Sequence, residues 1–236
     1  LYCISNLWEE SLTLQAAAVG DFFKAQRTVT MPGNDCLVKK ALEVHDFKET
    51  QSVTEFEGRR FMSEVLGVAG WQMSPVLMKQ AANAAIAWGV SHVVPHGIYV
   101  NRKLNTIPYP PDWFTSNPYW RYMHLWTDFV RRASYVNSQG HLVPDVLLVN
   151  PMDSVWALLG HTAAEEDASP GAHADAIAHI DEVYSKAIAD LAAERIEYLI
   201  ADRHYLRQMV VTPDGLLKRG PFEFKTVVLP PMKVLP

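Results

Sequence analysis

RFMSEVLGVAGW, Arg60 to Trp71, is the stretch on which the reading of this chain turns. A short run rich in apolar side chains stops at Glu64. Gly67, Gly70 and Trp71 follow at once, and Gly58 stands just before. A carboxylate that ends a short strand and opens a glycine-rich loop has a clear physical use. In folds built on parallel strands, the loops at the C-terminal strand ends carry the chemistry. Glycines let such a loop turn tightly and approach a ligand closely.

The segments around this stretch repeat its rhythm. "LYCISNL" reads as a buried strand. "SLTLQAAAVGDFFKAQ" has helical spacing, with Leu12, Ala16, Val19, Phe22 and Phe23 on one stripe. "RTVTM" is β-branched and reads as a strand turned by "PGND". Residues 36–57 are mostly helical, with Leu37, Ala41, Val44 and Phe47 on one side. After the "RFMSE" strand, Ser74 caps a helix that has Pro75 in its first turn and Gly89 at its end. "VSHVVPHGIYV" is a strand, and a helix ending at Gly140 follows. Strand and helix alternate four times, which implies a parallel sheet wrapped by helices. Four units are half of a (β/α)8 barrel, a fold of roughly 250 residues when complete. Residues 1–141 are therefore expected to be strands five to eight of such a barrel, with a four-unit open sheet as the plainer alternative. The chain is read as the later part of a longer one.

A different rhythm starts after Gly140. "PDVLLVNP" is a buried strand, "MDSVWALLG" and "AIAHIDEVYSKAIADLAAERI" are helices, and "EYLIAD" and "FKTVVLPPMKVL" are strands. Residues 142–236 are expected to form a partial flavodoxin-like α/β accessory domain. The fold class is α/β throughout.

Composition excludes several functions. The 236 residues carry a formal charge of -5, without the basic face a nucleic-acid binder needs. No apolar run approaches the roughly 20 residues of a membrane span. Two cysteines, Cys3 and Cys36, make neither a disulfide framework nor a zinc motif. "HTAAEEDASPGAHADAIAH" holds His161, His173 and His179 beside several acids and reads as a polar loop before it reads as a metal cluster.

The chemistry is expected at the strand ends. Glu9 and Glu10 end the first, Asp35 lies at the second, Glu64 ends the third, and His96, followed by Tyr99 and Asn101, ends the fourth. Paired carboxylates are what glycoside cleavage requires: one protonates the departing oxygen and the other activates water or attacks carbon. Trp71 offers a flat apolar face to a sugar ring. Each residue also has a plainer use. Glu64 and Asp35 can cap helices, Asp35 the one expected to begin at Cys36. His96 can be a satisfied structural histidine, and Trp113, Trp120 and Trp126 can be core.

The blocks "MPGND", "RFMSEVLGVAGW", "WGVSHVVPHGIYV" and "SYVNSQGHLVPDVLLVNP", in this order, resemble the α-L-rhamnosidase-type glycoside hydrolases of family 106. The closing "TVVLPPM" resembles the accessory domain of that family and of family 42 β-galactosidases. The resemblance implies inverting hydrolysis of terminal α-L-rhamnosyl residues, assisted by calcium whose ligands no spacing here identifies. It also implies a carbohydrate substrate and a secreted or periplasmic setting rather than a cytoplasmic one. On that reading Glu64 is the general base. Its partner is Glu10, Glu9 or a residue upstream of the chain. His96, Trp71, Tyr99 and Asp35 hold the sugar, and the remainder of the barrel completes the site. The alternative is a noncatalytic carbohydrate-binding or assembly module on a glycosidase-like barrel. A flavodoxin-like binding protein is disfavoured, because residues 144–236 carry neither a nucleophile elbow nor a glycine-rich phosphate loop.

Overall fold

The computed structural model describes residues 2–8, 11–36, 45–100, 103, 107–159 and 173–236. Two contact units divide the chain: Leu1–Glu9 with Gln26–His141, and Glu10–Ala25 with Leu142–Pro236.

The first expected helix forms as two, α1 (Leu12–Ala18) and α2 (Phe22–Thr28). Gly20 separates them at φ +80°, a left-handed conformation that costs glycine nothing. Ser11 caps α1 by accepting from the Leu14 N–H. Because α2 runs to Thr28, "RTVTM" is not the second strand. That strand is β1 (Gly33–Cys36), the segment expected to be a turn. Tertiary contacts outweigh the turn composition of "PGND". The buried Gln26 side chain accepts from the Gly33 N–H at 3.2 Å and donates to the Gly33 carbonyl at 2.9 Å. It thereby holds both backbone polar groups of that residue. Glycine is needed here because a Cβ at position 33 would lie 2.5 Å from the Ser5 carbonyl oxygen and 2.6 Å from Met62 Cε. Gly33→Ala is accordingly expected to destabilise the fold by about 1–3 kcal/mol, the usual cost of overpacking, measured by denaturant unfolding. Since Cys36 ends β1, Asp35 caps no helix starting there.

The first unit continues with α3 (His45–Glu57), β2 (Met62–Val65), α4 (Pro75–Ala87) and β3 (His92–Pro95). A 3-10 turn (Trp120–Tyr122) leads into α5 (Met123–Asn137). Ser74 accepts from the Leu77 N–H and Gly89 takes φ +91°, so the ends of α4 form as the sequence indicates. The sheet has the order β1-β2-β3, all parallel. Parallel bridges from Ile4 to Met31 and from Leu7 to Asn34 lay the first segment alongside β1. Four successive segments therefore run the same way, side by side in chain order. Cys36 and Val65 pack with Phe47 of α3 and with Met78, Ala81 and Ala85 of α4 in the core. Side chains alternate along a strand, so Asp35 and Glu64 face away from that helix layer. Trp113 is core, only 4 % exposed, and Trp126 packs against it, whereas Trp120 is exposed.

The second unit holds β4 (Val146–Val149), α6 (Met152–Leu159), α7 (Ala174–Ala193), β5 (Tyr198–Ala201) and the short α8 (Arg203–Leu206). An antiparallel meander follows, β6 (Val210–Val211), β7 (Leu217–Arg219) and β8 (Phe222–Phe224), and then β9 (Thr226–Val228). The parallel sheet has the order β5-β4-β9. "VLLV" and "YLIA" are buried along their whole length, as expected of parallel strands covered on both faces. Helix α1 packs on α6 and α7. The meander was not read from the sequence.

Candidate active site

Register assembles the site. Asp35 of β1 is the direct partner of Glu64 of β2, and Glu64 is the partner of Val94 of β3. Adjacent strands lie about 4.8 Å apart, so the two carboxylates are neighbours on one face. His96 lies two residues beyond Val94, on the same side by alternation, and its N–H donates to the Val65 carbonyl at 2.9 Å. The expected glutamate, aspartate and histidine therefore meet at one rim.

A chain of hydrogen bonds runs through them. Asn6 Nδ2 donates to Glu64 Oε2 at 2.5 Å. Glu64 Oε1 stands 2.5 Å from His96 Nδ1, with the glutamate side chain 18 % exposed and the histidine 34 %. His96 Nε2 is 3.2 Å from the Tyr99 hydroxyl, which donates to the Tyr109 carbonyl at 2.7 Å. The Tyr99 N–H in turn donates to Oδ1 of the fully buried Asp112 at 3.4 Å. Burial pushes the Tyr99 hydroxyl up from its ordinary value, and the negative charges of Asp112 and Glu64 act in the same direction. Beside this chain, the Trp8 indole N–H donates to Asp35 Oδ2 at 2.6 Å.

Glu64, His96, Tyr99 and Asp35 are thus gathered, and Trp71 is half-buried in the following loop, outside the hydrogen-bonded chain. Glu9 and Glu10 lie outside the described residues, as do Asn101 and His161. The loop bends at Leu66, Val68 and Gly70, with φ of 65°, 56° and 79°. Gly67, expected to let the loop turn tightly, is not among these left-handed positions. Two non-glycine residues carry that conformation instead. Such positions cost of order 1–3 kcal/mol each and cluster at functional sites. The Gly70 N–H is tied to the Pro110 carbonyl at 2.9 Å, which fixes the loop against the segment bearing Tyr109. Asn6, Trp8, Tyr109 and Asp112 were missed. Asn6 and Trp8 were accessible by strand alternation in "CISNLW", because alternate residues share a face.

Among the described residues no three His, Cys, Asp or Glu side chains converge as a metal group, and no helix is long and apolar enough to cross a membrane. The calcium that the resemblance implies is given no ligands among these residues, and no chemical step is derived through it.

No family model matches the chain, and no curated protein matches it. Among solved structures, a rhamnosidase from Novosphingobium sp. PP1Y is similar at TM-score 0.61 and 16% identity, over 88% of this chain and 19% of that one. At this identity the likeness is one of fold, and it makes a glycosidase-like α/β fold the class to which the site is compared. The chain spans about a fifth of the length of that protein.

Proposed function

We propose that the chain belongs to a glycoside hydrolase that releases terminal α-L-rhamnosyl groups with inversion. The observation that carries the glycosidase reading is the Asp35–Glu64 register pair, two carboxylates on one face at the C-terminal end of a parallel sheet, one of them clasped by His96, whereas inversion is what the resemblance to family 106 implies. The likeness in fold to a rhamnosidase and the sequence blocks that resemble family 106 favour this sugar. On this reading the four parallel segments are the last four strands of a (β/α)8 barrel. Residues 142–236 are a partial flavodoxin-like accessory domain, whose β5-β4-β9 order matches the 2-1-3 start of that topology. Asp35 supplies the second carboxylate, and Trp71 borders the sugar subsite.

The full-length protein is expected to hydrolyse aryl α-L-rhamnosides and to release β-L-rhamnose first, followed by proton NMR of the anomeric signal. Absence of hydrolysis across a panel of aryl glycosides would overturn the enzyme reading. Initial release of the α-anomer would instead make Asp35 a nucleophile in a retaining site, where the carboxyls stand roughly 5–5.5 Å apart.

A further inference from the structure

Open parallel sheets take their ligands in the crevice outside the carboxyl ends of their strands. In the second unit that place lies beyond β4 and β5, where Asn150 and Asp202 follow the last strand residues. It holds part of the chain itself. Gln15 of α1, Asp21 of the α1–α2 turn, and Phe22 and Phe23 of α2 line it. The space left has a volume of about 10 Å³, room for about one water molecule. The segment is held as a ligand would be. The Trp156 indole N–H donates to the Gly20 carbonyl at 3.1 Å. The Arg203 guanidinium stands 3.5 Å from Asp21 Oδ2, is fixed by a 2.7 Å bond to Asp153 Oδ1, and lies over the Trp156 ring. Phe22 and Phe23 are buried, and Phe23 meets Tyr205 edge to face. At the start of the segment, Asp181 of α7 accepts from the Leu12 N–H at 2.9 Å.

We propose that this crevice is a clasp whose resident ligand is residues 11–25, and that through it the second unit positions the candidate catalytic carboxylates. The route is the chain itself. Helix α2 runs on from Phe23 to Gln26, whose Oε1 accepts from Ser5 Oγ at 2.5 Å and from the Gly33 N–H. Ser5 immediately precedes Asn6, the donor to Glu64, and Gly33 opens the strand that bears Asp35. On the other side of the clasped segment, Trp8, the donor to Asp35, stands three residues before the Ser11 cap. Both ends of the segment therefore lead into groups that aim a carboxylate. Arg203 and Trp156 act through residues 20–26 and are positioning residues. Such aim matters to turnover, because a displacement of about 1 Å at a reacting group can cost about 10²-fold. The effect on turnover rests on the glycosidase reading above, whereas the clasp does not.

The test compares Asp21→Asn, Trp156→Phe and their combination in the full-length protein. Asparagine keeps an oxygen for the Lys24 N–H, which Asp21 caps at 2.8 Å, and loses the charge that faces Arg203. Phenylalanine keeps a ring beneath the guanidinium and loses the indole donor. Hydrogen exchange read by mass spectrometry follows the first segment without any substrate. The Ser5 and Leu7 N–H groups donate to the Met31 and Gly33 carbonyls. Their exchange is expected to quicken about threefold in each single variant and about tenfold in the double variant. Exchange at His92 and His96, and along β4 and β5, should stay as in the wild type, because both units remain folded. Should β4 and β5 also exchange faster in the double variant, the single variants carry the comparison. On an aryl α-L-rhamnoside the double variant is expected to lose about tenfold in kcat. KM should stay within about twofold. A clasp that serves the second unit alone would leave exchange at Ser5 and Leu7 unmoved, and that result would overturn the proposal. Quickened exchange with unchanged kcat would overturn the positioning role. If the wild type hydrolyses no glycoside, the hydrolase reading fails, and exchange at Ser5 and Leu7 still decides the clasp.

Discussion

Asp35→Asn in the full-length protein is expected to lower kcat by about 10²–10⁴-fold, the usual contribution of a positioned acid or base. At 1.36 kcal/mol per tenfold this raises the barrier by roughly 3–5 kcal/mol. Asparagine keeps the shape of the side chain and an oxygen able to accept from the Trp8 indole N–H. The change therefore removes the charge while sparing that hydrogen bond. If Asp35 only anchors Trp8, kcat per folded molecule stays within about twofold, and the effect appears in the melting curve at about 1 kcal/mol, the net worth of one hydrogen bond. Turnover and melting temperature measured on the same preparations separate the two cases. An unmoved kcat would leave Glu64 without its neighbouring partner and return the search to carboxylates outside the described residues.

The sequence made the alternation of elements legible where local signals and packing agree. The α4 helix has its cap, proline and closing glycine in the right places, and it forms as those residues indicate. Glu64 at a strand end was equally legible as a position, because it interrupts an apolar run next to glycines, although the same pattern also fits a helix cap. β1 failed for a physical reason. "GNDC" has turn composition, and only long-range contacts make it a strand. The Gln26 side chain satisfies the Gly33 peptide, and the missing Cβ lets Ser5 and Met62 approach. No local window contains those partners. "RTVTM" failed for the matching reason, since α2 carries Arg27 and Thr28 to its end despite the β-branched residues beyond.

The candidate site was legible as a list of acids and as a histidine, but not as a network. Attention to charge favoured Glu9 and Glu10 and passed over Asn6 and Trp8, the neutral donors that hold the carboxylates of Glu64 and Asp35. Strand parity carries that information and residue type does not. Asp112 and Tyr109 were beyond reach, because a loop that returns to a rim has no periodicity to read. The Asp35–Glu64 pairing depends on register, and in a parallel sheet register is set by packing across strands far apart in sequence.

Phe61→Ala is expected to have the largest effect on stability, about 3–5 kcal/mol, as for other buried aromatic truncations. Phe61 is 2 % exposed and meets Phe47 edge to face, with ring centroids 6.3 Å apart. Its backbone also binds Ser91, accepting from the Ser91 N–H and donating to Ser91 Oγ, so the surroundings have little freedom to close the cavity. With a urea dependence of about 2 kcal/mol per molar, the midpoint should fall by roughly 2 M. The tryptophans report where the loss occurs. Trp8, Trp71, Trp88, Trp113, Trp120 and Trp126 belong to the unit that contains Phe61, and Trp156 to the other. If the units fold as separate domains, tryptophan fluorescence should show the shifted transition. Part of the helical circular dichroism, that of α7 above all, should then melt at its original urea concentration. Coincident, equally shifted transitions by both probes would mean that the two units unfold as one cooperative block, and the two-domain division would fail.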